Sequence, residues 1–274
     1  MAQIVSIGKR DFVMGRRPYI MGILNVTPDS FSDGGNFTDT DRALKHVKEM
    51  IDAGADIIDV GGESTRPGHT PISVAEELER SCFVIEAIKE RFDVPVSLDT
   101  YKWQVAQAGI LAGADMINDI WGFKYDDRMR EIVAKSGVAC CLMHNRSEAI
   151  YKDFLSDVIT DLQESIDIAL LAGVSRDKIM VDPGIGFAKN QKENLLVMKN
   201  LEKFTELGFP VLLGTSRKSF IGNALELPVE EREEGTIATS VMGLMKGCSF
   251  FRVHSVKENH RALKMAWSIL NEQG

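Results

Sequence analysis

The chain has 274 residues, enough for one large domain or two small ones and for a sizeable core. A formal net charge of -8 argues against general affinity for nucleic acid or anionic membrane surfaces, which need a basic face, but leaves room for a small anionic substrate. Hydrophobic residues make up 44% of the sequence, which excludes a disordered chain.

Residues 3 to 14 read as a short hairpin, two apolar pieces around Gly8-Lys9-Arg10-Asp11, expected as a lid over the closed end of a barrel. Strand one, Tyr19 to Val26, is a nearly continuous apolar run of the kind buried on both faces, with Asn25 at its carboxyl end. It breaks into Thr27-Pro-Asp-Ser30, and Gly34-Gly35 ends the loop. A helix follows from about Thr40 to Ala53, with Ala43, Leu44, Val47, Met50 and Ile51 at helical spacing and Gly54 after it.

The pattern then repeats. Strand two, Ile57 to Val60, ends in Gly61-Gly-Glu-Ser-Thr-Arg-Pro-Gly68, and Ser73 with Glu76 has capping-box spacing for a helix to about Phe92. Strand three, Val94 to Leu98, ends at Asp99 and precedes a helix from Trp103 to Leu111. Strand four, Met116 to Ile117, ends at Asn118-Asp119 and precedes a helix from Asp127 to Ser136. Strand five, Val138 to Met143, ends at His144-Asn145-Arg146, and a long helix runs from about Phe154 to Ala172. Strand six, Ile179 to Val181, ends at Asp182-Pro-Gly-Ile-Gly-Phe187, with a helix from about Gln191 to Leu207. Strand seven, Val211 to Leu213, ends at Gly214-Thr-Ser-Arg-Lys218; Ser219 opens a short helix, and a helical stretch spans about Glu230 to Met245. Strand eight, Phe250 to Val253, carries Arg252 and ends at His254, before a helix from Lys257 to Leu270.

These eight strand-then-helix units show no linker or change of composition, so one domain over residues 1–274 is expected. Parallel strands need right-handed crossovers. Eight such units close into an α/β fold, the (β/α)8 TIM barrel, here with a short N-terminal β-hairpin. An open doubly wound sheet is the alternative, but the first strand-to-helix turn has no Gly-x-Gly-x-x-Gly. No run reaches the roughly 18 apolar residues of a membrane span. The start, Met1-Ala-Gln-Ile-Val-Ser, has no basic region before a long apolar core, so no secretory signal is expected. The four cysteines lack zinc spacing; adjacent Cys140 and Cys141 read as small core residues on opposite faces of a strand, and a reduced, cytoplasmic setting follows.

Barrel active sites lie at the carboxyl ends of the strands. Those ends carry Asn25, Glu63 to Arg66, Asp99, Asn118 with Asp119, His144, Asp182, Ser216 to Lys218, and Arg252 with His254, which suggests one shared pocket. Asp99, Asn118 and Asp182 suit a flat, nitrogen-rich ring, although Asp99 could instead cap the helix that follows it. Arg66, Thr65, Arg217, Lys218, Arg252 and His254 are donors that invite phosphate or carboxylate. Residues 252 and 254 share one strand face. Asn25 could add a neutral oxygen to a magnesium ion otherwise held by water and phosphate.

The segments Asn25-Val-Thr-Pro-Asp-Ser-Phe-Ser-Asp-Gly-Gly35, Gly61 to Gly68, Asp182 to Phe187, Ser216-Arg-Lys-Ser-Phe220 and Arg252-Val-His254 closely resemble the dihydropteroate synthase family, in order and over nearly the whole chain. The resemblance implies a homodimeric (β/α)8 transferase that joins 4-aminobenzoate to 6-hydroxymethyl-7,8-dihydropterin diphosphate, needs magnesium (or manganese), and is a sulfonamide target. It implies that Asp99, Asn118, Asp182 and Lys218 hold the pterin. Thr65, Arg252 and His254 would hold the diphosphate, and Asn25 would face magnesium. Ser64, Arg66, Pro67, Phe187 and Ser219 would shape the aminobenzoate site, with Asp99, Lys218, Arg252 and His254 counted as catalytic. Two departures from the family pattern are Asn145, in place of the second Met of Met-His-Met, and Ser255, where Asp often follows Arg-Val-His. With diphosphate neutralised as leaving group and the ring able to share positive charge, a dissociative substitution at the pterin CH2 is expected, in which the enzyme positions and neutralises without acting as nucleophile. A folate-dependent methyltransferase domain would have no diphosphate for Lys218, Arg252 and His254 to hold, and a non-catalytic pterin-binding barrel would have no use for an intact donor set.

Overall fold

A computed structural model of the chain describes residues 3–26, 36–63 and 70–272, with side chains from residue 40 onward in the second segment. Strands β1 (Ile4–Ile7) and β2 (Arg10–Val13) pair antiparallel. The barrel strands follow as β3 (Tyr19–Asn25), β4 (Ile57–Gly61), β5 (Val96–Asp99), β6 (Met116–Asp119), β7 (Ala139–Met143), β8 (Ile179–Asp182), β9 (Leu212–Leu213) and β10 (Phe250–Val253). All pair in parallel, in the order β8-β7-β6-β5-β4-β3-β10-β9. A parallel bridge between Val181 and Val211 brings the two ends of the sheet together, so the barrel closes as predicted.

The helices between them are α1 (Asn36–Asp52), α2 (Val74–Arg91), α3 (Trp103–Leu111), α4 (Asp127–Ser136), α5 (Phe154–Leu171), α6 (Gln191–Lys199), α7 (Glu202–Thr205), α8 (Ser219–Leu225), α9 (Glu233–Met245) and α10 (Val256–Leu270). Ser73 caps α2 by accepting from the Glu76 N–H, but the Glu76 carboxylate turns to Arg80, so only half of the expected capping box forms. The helix predicted from Gln191 to Leu207 breaks into α6 and α7. At Asn200 the backbone N–H reaches Val197 O and the side chain donates to Leu196 O at 2.8 Å, a local alternative that competes with continued helix.

The two larger apolar clusters divide the barrel into an outer and an inner layer. Ile20, Ile58, Leu98, Ile117, Val181 and Phe251 pack with helix residues such as Val47, Ile85 and Leu162 in the outer layer. Tyr19, Met21, Ile57, Met116, Met180 and Phe250 cluster, among the described residues, with strand and hairpin residues and none from a helix, so they fill the barrel interior. Hairpin residues Val5, Ile7 and Phe12 join this inner cluster; the Phe12 ring sits 5.0 Å from Tyr19 and 5.5 Å from Phe250, plugging the end at which β3 and β10 begin. Cys140 belongs to the outer cluster and Cys141 to the inner one, as strand alternation requires.

Candidate active site

Side chains alternate along a strand, so each inward row can be followed from the plug toward the carboxyl ends. Met21 leads to Asn25, Ile57 to Asp59 and Gly61, Met116 to Asn118, Met180 to Asp182, Leu212 to Gly214, and Phe250 to Arg252 and His254. Asp59 pairs in register with Ser97, which puts Asp99 on the same inward face, two residues nearer the carboxyl end. Above an apolar plug the inward-facing parity thus turns polar.

Arg252 is the hub of that layer. Its Nε donates to Asp59 Oδ2 at 2.6 Å and its Nη2 to Asp99 Oδ2 at 2.7 Å. Burial alone would lower the guanidinium pKa, but Asp59 and Asp99 outweigh it and hold the group above its ordinary value. Asp99 therefore does not cap a helix; the residue before α3 is Lys102 and makes no side-chain cap. Asn118 Nδ2 lies 3.5 Å from Asp59 Oδ2, which places the amide beside the same carboxylate.

Gly214 marks where the two halves of the site meet. A Cβ there would stand 3.5 Å from Asp182 Oδ2, 3.8 Å from Lys218 Nζ and 3.9 Å from Arg252 Cβ. Asp182 Oδ1 accepts from the Gly184 N–H at 2.7 Å; burial raises its pKa, while Lys218 and the Gly184 N–H pull it back. Lys218 Nζ donates to Ile185 O and lies 4.8 Å above the Phe187 ring. Burial pulls the Lys218 pKa down to about 8, with Asp182 opposing. On the other side, a Cβ at Gly61 would stand 3.8 Å from Asp99 Cβ and 3.9 Å from Asn25 Oδ1. Asn25, Asp99, Asn118, Asp182, Phe187, Lys218 and Arg252 are thereby brought around one space. His254 is held from outside it: Ser216 Oγ lies 2.9 Å from His254 Nδ1 and accepts from the His254 N–H. Ser219 is exposed at the start of α8, next to Lys218. Ser64, Thr65, Arg66 and Pro67 lie outside the described residues.

Two strand-end residues do not share the pocket. Asp119 has the opposite parity to Asn118 and accepts from the N–H groups of Trp121 and Phe123, holding a turn; burial raises its pKa to about 6. His144 is buried against α5, with Nε2 3.0 Å from Asp161 Oδ2 and Nδ1 2.7 Å from Lys189 Nζ. Asp59 is the residue that sequence reasoning missed. A carboxylate inside Ile57-Ile-Asp-Val-Gly61 was a visible signal, but it stands two residues short of the strand end. Of the departures, Ser255 accepts from Arg217 Nη2 at 2.9 Å and donates to Glu233 Oε2 at 2.7 Å, so an acid on α9 completes the arrangement. Asn145 Oδ1 accepts from the Arg146 N–H at 3.0 Å.

A brace lies beside the site. Lys102 Nζ is 2.5 Å from Glu63 Oε2 and 2.7 Å from Glu77 Oε2, and donates to Ile72 O at 2.8 Å. Glu63 Oε2 also accepts from the Ile72 N–H at 3.2 Å.

The family profile described as "Pterin binding enzyme" matches residues 21–254. The dihydropteroate synthase of Clostridium beijerinckii is 62% identical over 262 residues, 95% of this chain and 97% of that protein. The chain belongs to the dihydropteroate synthase family. Among solved structures, the Clostridium difficile enzyme determined in the presence of pteroic acid superimposes with a TM-score of 0.92 at 47% identity, covering 95% of this chain and all of that one. The Xanthomonas albilineans dihydropteroate synthase with 4-aminobenzoic acid gives a TM-score of 0.94 at 37% identity, with both chains fully covered. At these TM-scores the chain shares the fold of both neighbours.

The resemblance also implies magnesium. Among the described residues no group of three or more His, Cys, Asp or Glu side chains could hold a metal ion. Half-buried Asn25, facing the space beside Gly61 and Asp99, can offer one neutral oxygen. That donor set fits an ion that keeps its waters and arrives with phosphate, not an ion caged by protein.

Proposed function

We propose that the chain joins 4-aminobenzoate to 6-hydroxymethyl-7,8-dihydropterin diphosphate, releasing diphosphate, by dissociative substitution at the pterin CH2. The observation that carries this reading is the convergence of Asp182, Lys218 and Arg252 around Gly214, with Asp59 and Asp99 beneath Arg252. Glycine there leaves room for a flat ring edge where a side chain would stand. Asp99, Asn118 and Asp182 supply acceptors and a donor for the amino group and ring nitrogens of the pterin, and Lys218 a further donor. Arg252 and His254 meet the diphosphate, with Thr65.

In the reaction the C–O bond breaks and its electron pair leaves with diphosphate. Arg252 and His254 neutralise that developing charge, as fixed donors do in a site shielded from water. The CH2 left behind shares its positive charge with the electron-rich ring, and the carboxylates of Asp99 and Asp182 favour that cation. The aromatic amine then forms the C–N bond with its lone pair and releases a proton. Magnesium, when bound through Asn25 and the phosphates, supplies further charge neutralisation to the leaving group. Phe187, beneath the Lys218 ammonium, and Ser219, with Ser64, Arg66 and Pro67, orient the aminobenzoate.

Mixing both substrates with magnesium and measuring diphosphate tests the activity. A secondary isotope effect at the CH2 well above unity is expected; a value near unity would rule out the dissociative path. We also assign a homodimer: α9 and α10 pack together and expose Met242, Met245, Met265 and Ile269, an apolar face suited to a second copy. Light scattering of Met245→Glu against the parent protein tests it. Four unpaired cysteines, three of them buried, support a reducing cytoplasmic setting.

A further inference from the structure

We infer that Lys189, backed by His144, is a positioning residue that fixes the β8–α6 connection and through it the site of the second substrate. The inference rests on the aminobenzoate reading of Phe187. The connection, Pro183 to Asn190, is contorted. Gly184, Gly186 and Ala188 all have positive φ, at 70°, 86° and 45°. Ala188 is not a glycine, so the surrounding contacts must hold it there.

Lys189 supplies those contacts. Its ammonium donates to Gly184 O at 2.9 Å and Phe187 O at 3.0 Å, and its third N–H points to His144 Nδ1 at 2.7 Å. Three donors thus meet three acceptors. His144 Nδ1 accepts, so the ring carries its proton on Nε2 and donates it to Asp161 Oδ2 at 3.0 Å. Arg146 Nε and Nη2 hold the same carboxylate at 2.6 and 3.1 Å. Burial, reinforced by the Lys189 charge, lowers the His144 pKa to about 3 and keeps the ring neutral and able to accept; burial also lowers the Lys189 pKa to about 7, so its three-donor form holds the loop below that pH. A Cβ at Gly184 would stand 2.0 Å from His144 O, so the connection lies directly on the end of β7. From the pinned loop, Ile185 O receives Lys218 and the Phe187 ring supports its ammonium. His144, a polar strand end with no place in the pocket, thereby acts on the pocket through Lys189.

The test compares full-length Lys189→Met, His144→Leu and His144→Asn with the parent enzyme. Asn retains an acceptor near the Nδ1 position. Lys189→Met and His144→Leu are expected to raise the KM for 4-aminobenzoate about tenfold or more, the size of losing a hydrogen bond to a charged group. The affinity for the pterin diphosphate, which Asp99 and Asn118 also hold from β5 and β6, should weaken by a clearly smaller factor; Lys189→Met combined with His144→Leu should add little to Lys189→Met, and His144→Asn should stay near the parent. Equal rises in both substrate constants, or a fall in kcat with both constants unchanged, would overturn the inference, because a merely structural role lowers the amount of competent enzyme. If Lys189→Met does not fold, the His144 pair decides alone: a normal aminobenzoate KM in His144→Leu refutes it. Parent enzyme that turns over neither substrate would instead refute the proposed function.

Discussion

Asp59→Asn probes the least accessible part of the site. Asp59 is fully buried, and its Oδ2 takes Arg252 Nε at 2.6 Å. Asparagine keeps the volume and removes the charge. Removing one partner of a buried ion pair costs about 3–5 kcal/mol. Arg252 keeps Asp99 as a second counter-ion at 2.7 Å, so the smaller value for one charged hydrogen bond, about 2 kcal/mol, applies here. At about 2–4 °C per kcal/mol for a chain of this size, the melting temperature should fall by about 4–8 °C. Arg252 then hangs from Asp99 alone, and its placement against the leaving group loosens. A loss of about 1.4 kcal/mol in the transition state would lower kcat roughly tenfold. Thermal unfolding and initial rates of diphosphate release measure the two effects, and a double-mutant cycle with Arg252→Met isolates the pair. A melting temperature and kcat/KM indistinguishable from the parent, or a coupling energy under about 0.5 kcal/mol, would refute the role given to Asp59.

Three further perturbations address other groups. Lys218, with its pKa pulled down to about 8 by burial, is charged below that pH and neutral above it, so kcat/KM should fall as pH rises through about 8. Lys218→Arg stays charged and should remove that alkaline limb even at a lower absolute rate; an unmoved limb assigns it to another group. Lys102→Met leaves Glu63 and Glu77 buried without their shared cation, at an expected cost of about 3–5 kcal/mol. Burial already raises the Glu77 pKa, so the folded variant takes up protons more readily than the unfolded chain and its deficit should shrink as pH falls; urea unfolding at pH 5 and pH 8 showing equal deficits would count against this. Asn25→Ala should raise the magnesium concentration needed for half-maximal rate severalfold while sparing pterin affinity, and an unchanged magnesium titration would remove Asn25 from the metal's surroundings.

Much of the fold was legible because each strand-helix unit announces itself locally. The limits of α3 and α4 coincide with their apolar periodicity, and the βα alternation leaves few topologies open. The finer site was harder to read. A barrel strand is apolar on both faces, so periodicity does not say which parity faces inward; the hairpin plug and the register decide that. Without parity, Asn118 and Asp119 look alike, His144 looks like a pocket residue, and Asp59 looks too deep to matter. Motif resemblance drew attention to Asp99, Asp182, Lys218 and Arg252, which the barrel gathers. It could not show that Arg252 is tied to two carboxylates, because Asp59 and Asp99 come from different strands 40 residues apart and meet it only when the sheet closes.

The bracket formed by Lys102 has a consequence for how this mouth can change over generations. Glu63 and the backbone of Ile72 are clasped to one ammonium and to each other, which fixes the separation of positions 63 and 72. Closing a longer excursion between clamped ends costs only about 0.6 kcal/mol per doubling of its length. Added length between positions 63 and 72 would therefore leave the cylinder below unstrained, while the substrate roles given to Ser64, Thr65, Arg66 and Pro67 constrain which side chains can change. Between positions 63 and 72, length should accordingly vary more readily than those four side chains, with Lys102 retained as the clasp.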